Sequence, residues 1–157
     1  MEHSLKIALS KLKKYCSYQE RCHKEVLVKA KSLGIYLEEE ANLLLKELIQ
    51  ENFLNEERFV ELYVKSKMNQ KSWGSKKIKL SLQQKEISPY LITKYLSKDI
   101  NAIVFSNLDK LSKKYFEQHK NLNAIAFKYK LIQHLIAKGY HYEDITKYLQ
   151  DNKSPFI

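Results

Sequence analysis

The chain has 157 residues and a formal net charge of +10, with 44% hydrophobic and 29% charged residues, a globular balance that excludes a disordered chain and a pair of large domains. Three glycines and two prolines are too few for the hairpins of a β-rich protein, whose tight turns demand positive φ angles. The charge is one-sided: residues 1–62 hold ten basic and eleven acidic side chains, net −1, and residues 63–157 hold eighteen and seven, net +11. Such clustering predicts a surface that faces a polyanion.

Taken in chain order, Leu5, Leu9 and Leu12 fall at helical spacing and predict a first helix ending near Cys16. Ser17-Tyr18-Gln19-Glu20 reads as a capping box, with Ser17 and Glu20 satisfying each other's backbone N–H groups at the start of a second helix. That helix runs to Leu33, and Gly34 suits the left-handed residue past its end. A third spans about Leu37 to Glu51, with Ala41, Leu44, Leu45 and Leu48 inward and Glu38, Glu39 and Glu40 at its positive end. Asn55 caps a fourth, on which Phe59, Leu62 and Tyr63 form an apolar stripe. A break near Lys71-Ser72-Trp73-Gly74 precedes a fifth carrying Ile78 and Leu82, and Ser88-Pro89 opens a sixth. Asp99 to Lys120 reads as one long helix with Leu108, Leu111 and Phe116. Leu122 to Lys138 forms another, stopped at Gly139, and a last helix follows. Tyr95, Tyr129 and Tyr148 lie at apolar periodic positions and are assigned to the core.

These elements repeat. Ile92-Thr93-Lys94-Tyr95-Leu96 recurs unchanged as Ile145-Thr146-Lys147-Tyr148-Leu149, an offset of 53 residues that sets Glu86 over Gly139. A further 52 residues back from Glu86 lies Gly34, in the same helical grammar. A period near 50 made only of helical patterns predicts stacked helical units. The expected fold is all-α: three tandem three-helix units, 5–54, 55–98 and 99–152, in an elongated, curved array.

Nothing in the chain assembles a catalytic, cofactor or metal site. Cys16 and Cys22 stand five residues apart, outside the spacing of a zinc knuckle, and are expected as free thiols in a reducing cytoplasm. The five histidines form no His-Glu-x-x-His pattern, and three glycines cannot build a phosphate loop. The first twenty residues lack a signal-like apolar core, and no run of eighteen apolar residues spans a membrane. The short apolar stripes are consistent with a monomer.

From Lys65 to Lys85 there are seven lysines (Lys65, Lys67, Lys71, Lys76, Lys77, Lys79 and Lys85) and no acid. Ile78 and Leu82 take the buried face, so Lys76, Lys77 and Lys79 fan over the remainder and can pair with phosphates without reading sequence. Trp73 beside Gly74 reads first as a packed turn anchor. Lys110, Lys113 and Lys114 form a second basic edge, and Lys128, Lys130 and Lys138 extend it. Two arginines, Arg21 and Arg58, leave bidentate guanine reading nearly out of reach.

The run Phe53-Leu54-Asn55-Glu56-Glu57-Arg58-Phe59 resembles the aromatic-Leu-Asn/Asp-acid-x-Arg-Phe/Tyr signature of the RecX family of recombinase regulators. Ser17-x-x-Glu20 resembles that family's helix start, and Trp73-Gly74-Ser75-Lys76-Lys77-Ile78 its Gly-x-x-basic-Ile motif. Glu86 stands where the family usually has glycine, and so predicts a different turn there. The resemblance implies a non-enzymatic regulator that binds the RecA–DNA filament, in its helical groove, and either suppresses ATP hydrolysis and strand exchange or caps filament growth. It marks Asn55, Glu56, Arg58, Phe59, Trp73 and Gly74 as structural or interface residues. Partners would be the RecA filament and single- or double-stranded DNA. A general DNA-binding protein acting without a recombinase stands beside it as the alternative.

Overall fold

A computed structural model describes residues 2–97 and 101–151, and within them the chain is helical with no strand. The helices are α1 (Glu2–Tyr18), α2 (His23–Ser32), α3 (Glu38–Gln50), α4 (Glu56–Lys71), α5 (Ser75–Gln84), α6 (Pro89–Leu96), α7 (Asn101–Gln118), α8 (Ala124–Ala137) and α9 (Tyr142–Asp151). The expected all-α class holds. The start expected for the long helix, Asp99, lies outside the described residues, as do residues 98 and 152 at the expected unit ends.

The fold forms two compact units: Met1–Tyr63 with Leu82–Ile92, and Val64–Ser81 with Thr93–Ile157. In the first, Leu12, Val26, Ala30, Leu44, Leu48 and Leu54 form a core among α1, α2 and α3, with Leu5, Leu9, Ala41 and Leu45 packed against it. In the second, Leu108, Leu111, Phe127, Leu131, Leu135, Ile145 and Tyr148 do the same among α7, α8 and α9. The repeated pentapeptide presents the same two residues inward in each copy, Ile92 with Tyr95 and Ile145 with Tyr148, because positions three apart share a helix face.

One turn closes α2, α5 and α8. Gly34 N–H donates to Lys31 O and Ile35 N–H to Ala30 O; Glu86 N–H to Gln83 O and Ile87 N–H to Leu82 O; Gly139 N–H to Ile136 O and Tyr140 N–H to Leu135 O. This pairing satisfies two end carbonyls and needs a left-handed residue at its centre. Gly34 and Gly139 supply it at φ +88° and +96°, and Glu86 adopts φ +61°. The expected different turn at Glu86 is therefore wrong: the geometry is the same, held by a residue whose Cβ disfavours it. The residue after each turn, Ile35, Ile87 or Tyr140, is buried and anchors it.

Three expectations need correction. Ser17 and Tyr18 belong to α1, where Ser17 Oγ donates to Lys13 O at 2.8 Å. The hydroxyl bonds back one turn instead of capping forward, and α2 starts after Cys22, which makes no side-chain cap. Of the expected stripe, Phe59 is buried but Leu62 is half exposed at 50%; Val60, Val64 and Met68 complete the buried face of α4. Tyr129 is exposed at 66%, because Phe127, Leu131 and Leu135 define the inward face of α8 and position 129 points away.

Candidate nucleic-acid interface

The signature residues around α4 hold the first unit together. Asn55 Oδ1 accepts from Arg58 N–H at 2.9 Å, capping the helix as expected. Glu56 Oε1 accepts from His23 N–H at 3.1 Å, so a side chain from α4 caps α2. Arg58 Nε donates to Glu20 Oε1 at 2.6 Å, Nη1 to Asn52 Oδ1 at 2.9 Å and Nη2 to Asn52 O at 3.2 Å. Only the planar five-donor fork of arginine can bind these three acceptors together. Phe59 is buried beside Tyr63. Glu20, expected as half of a capping box, is thus the ion-pair partner of Arg58.

The second unit has an equally close join at Gly74. Its N–H donates to Lys138 O at 2.9 Å, and Lys76 N–H donates to Gly139 O at 3.1 Å. The free amides at the positive start of α5 meet the free carbonyls at the negative end of α8, so each helix caps the other. A Cβ on Gly74 would lie 2.3 Å from Gly139 C and O, and one on Gly139 would lie 2.4 Å from Lys77 Cβ. Nearby, Tyr140 Oη donates to Ser72 O at 2.8 Å and Asn107 Nδ2 to Met68 O at 2.9 Å, which satisfies buried carbonyls at the end of α4. Burial pushes the Tyr140 phenol up to about 12.

Trp73 is partly buried, as a turn anchor should be, with Lys67 Nζ 4.9 Å and Lys77 Nζ 4.7 Å from its ring centroid. Lys65, Lys71, Lys76 and Lys79 are exposed, as are Lys110, Lys113 and Lys114 on α7. Lys113 pairs with Asp109 and Lys120 with Glu117, each on its own helix. Lys71, Lys76, Lys79, Lys110 and Lys114 have no carboxylate partner among the described residues. Lys85 departs from the basic run it follows in sequence: it is half-buried in the first unit, 2.6 Å from Glu25 Oε1. Burial alone would lower its ammonium, but the Glu25 hydrogen bond and charge outweigh this and raise it.

The charge division follows the fold. The first unit holds eleven basic and twelve acidic side chains, net −1, and the second seventeen and six, net +11. In the first, cations reach across to acids on other elements, as in Lys13–Glu51, Lys24–Glu86, Arg58–Glu20 and Lys85–Glu25. The second has no comparable supply of acids. Cys16 and Cys22 are buried free thiols, pushed up by that burial. Among the described residues no cluster of His, Cys, Asp and Glu could hold a metal, and no helix is long and apolar enough to cross a membrane.

Fold and surface together define an all-α protein with a recurring helix-end turn and one strongly basic compact unit. Residues 55–96 match the family model described as RecX, second three-helix domain. The chain is 32% identical over 143 residues to the regulatory protein RecX of Streptococcus uberis, covering 89% of this chain and 53% of that protein. It is 29% identical over 139 residues to the regulatory protein RecX of Streptococcus agalactiae, covering 87% and 52%. The chain spans about half the length of these curated relatives. The crystal structure of RecX from Lactobacillus salivarius superimposes with a TM-score of 0.85 at 26% identity, over 98% of this chain and 99% of that one. Family model, curated relatives and solved structure all show the chain to be similar to RecX proteins.

Proposed function

We propose that the chain is a non-catalytic cytoplasmic regulator of the RecA recombinase, binding the RecA–DNA filament along its groove and restraining ATP hydrolysis and strand exchange. The three-helix unit is its building block, and it acts as a monomer. Its basic compact unit faces phosphates or an acidic groove wall through Lys65, Lys67, Lys71, Lys76, Lys77, Lys79, Lys110, Lys113 and Lys114. The near-neutral unit, braced by Asn55, Glu56, Arg58 and Phe59, is left to face protein. The observation that carries the reading is the charge partition, +11 against −1, with Lys71, Lys76, Lys79, Lys110 and Lys114 exposed and without a carboxylate partner among the described residues. Lysine suits phosphates recognised as charge, and each phosphate neutralised releases condensed counterions.

The test compares affinity for bare DNA with affinity for a preformed RecA filament at near-physiological salt, alongside the filament's ATPase rate. A regulator prefers the filament and slows its ATPase. A general DNA-binding protein shows no preference, and that result would overturn the proposal. Charge reversal of Lys71, Lys76 and Lys79 to glutamate, at exposed positions, should weaken filament binding by about tenfold or more and flatten its salt dependence. Unchanged inhibition would remove those lysines from the interface.

A further inference from the structure

The end of α7 and the end of α8 enclose a cleft of about 180 Å³, lined by Leu111, Lys114, Tyr115, Gln118, His134 and Lys138. This is enough room for one tetrahedral oxyanion with water. No carboxylate lines the cleft. The acids on the same helix are turned elsewhere: Asp109 binds Lys113 and Tyr148, and Glu117 binds Lys120.

What sets the cleft apart from ordinary surface charge is that its donors are uncommitted and that one of them, His134, is held in place by an aromatic ring. The Tyr115 ring stacks on His119 at 4.0 Å and meets His134 at 4.8 Å, so both imidazoles are held by ring contact. His119 Nδ1 also lies 2.8 Å from Tyr115 O. Among the described residues the His134 ring, the Gln118 amide and the Lys114 and Lys138 ammoniums have no hydrogen-bonding side-chain partner. Four donors therefore converge with none spent. The carbonyl end of α8 would repel an anion, yet Lys138 O and Gly139 O already accept from Gly74 and Lys76 N–H. The positive start of α5 thus offsets that end.

We propose that this cleft binds a phosphate group, with Lys114 and Lys138 as charged donors and Gln118 and His134 as directional ones. This goes beyond the filament reading, which needs only diffuse surface charge, and it stands or falls separately. Burial first, and then Lys138 and His119, lower His134. Lys114 and Tyr115 also line its surroundings on α7. A phosphate dianion among these groups would favour the imidazolium.

The test is a histidine NMR titration of the full chain with inorganic phosphate, at ionic strength held constant with chloride. The expected result is a saturable shift of the His134 resonances. Lys138→Gln and Lys114→Gln should each weaken it about three- to tenfold, while Lys128→Gln, on an exposed position of α8 outside the cleft, should leave it alone. A linear shift, no shift, or equal weakening by Lys128→Gln would overturn the proposal. Repeating the titration with ADP and with an oligothymidylate lacking terminal phosphate assigns the source: a response to the oligomer marks a backbone phosphodiester, and one to ADP alone a phosphate monoester. Saturable phosphate binding without filament preference would sink the regulator reading only; filament preference without it would sink the cleft only.

Discussion

Replacing Gly74 by alanine sets two physical effects against each other. Its φ is not positive, so the chain-entropy effect alone would stabilise the fold by about 0.4–1 kcal/mol. Contact geometry says the reverse. The new methyl would sit 2.3 Å from Gly139 C and O and 2.5 Å from Tyr140 N, all backbone atoms that cannot rotate aside. Restoring ordinary contact moves the start of α5 by about 1 Å, which strains the packing by about 1–3 kcal/mol. It also stretches the bonds of Gly74 N–H and Lys76 N–H to α8, each costing about 1–3 kcal/mol if left unmade. The net expectation is a loss of about 3–5 kcal/mol, a large share of typical domain stability. Gly34→Ala is the control: nothing lies within 4 Å of its Cβ, but φ is +88°, so strain alone costs about 1–2 kcal/mol. Urea unfolding followed by the fluorescence of Trp73, the chain's one tryptophan, reads the second unit, and circular dichroism reads the control. Gly74→Ala within about 1 kcal/mol of the parent protein would refute the close-crossing argument.

Glu86→Gly should stabilise by about 0.5–1 kcal/mol, since relief at φ +61° exceeds the loss of the exposed Lys24 pair; a lower urea midpoint would contradict the strain. Arg58→Lys should cost about 1–3 kcal/mol despite keeping the charge, because a single ammonium cannot bind Glu20, Asn52 Oδ1 and Asn52 O together; parental stability in urea would show the fork to be dispensable. The raised Tyr140 phenol, about 12 in the fold against 10.0 for the ordinary group, links stability to alkaline pH. Above pH 10 the unfolded chain releases a proton that the fold retains. Stability fully present below pH 10 should therefore fall between 10 and 12, approaching about 1.4 kcal/mol per pH unit from this group. Tyr140→Phe should flatten that slope in stability measured by Trp73 fluorescence; an unaltered slope would acquit the phenol.

Helices were legible wherever an apolar stripe ran long enough to fix its phase. Leu5, Leu9 and Leu12, or Leu44 and Leu48, leave one face to bury, and Gly34 and Gly139 mark ends because few other residues tolerate that φ. Phase failed where aromatic and aliphatic residues crowd both sides of a helix, as at Leu62 and Tyr129. Ser17 failed for a different reason: its hydroxyl can cap the next helix or bond back into its own, and tertiary context decided. Glu86 was misread because a glycine preference is energetic, and about a kilocalorie can be overridden by the buried Ile87 that follows. Of the candidate site, the lysines and their one-sidedness were visible. The Glu20–Arg58 pair, the Gly74–Gly139 crossing and the cleft of His134 were not, since each joins residues far apart in sequence. Two glycines placed at the ends of different helices were the only hint of the crossing.

The basic unit is not a continuous stretch of polypeptide, and this bears on how the protein can be dissected. Eighteen residues, 64–81, supply six of its seventeen cations, together with the acceptor for Tyr140 and the amides that cover the end of α8. A fragment beginning after α6 would lose seven of those seventeen cations, Lys94 being the seventh, and expose a helix terminus that the intact chain seals. A single cut therefore cannot isolate the basic unit, and any gene rearrangement between α6 and α7 would break that unit rather than transplant it.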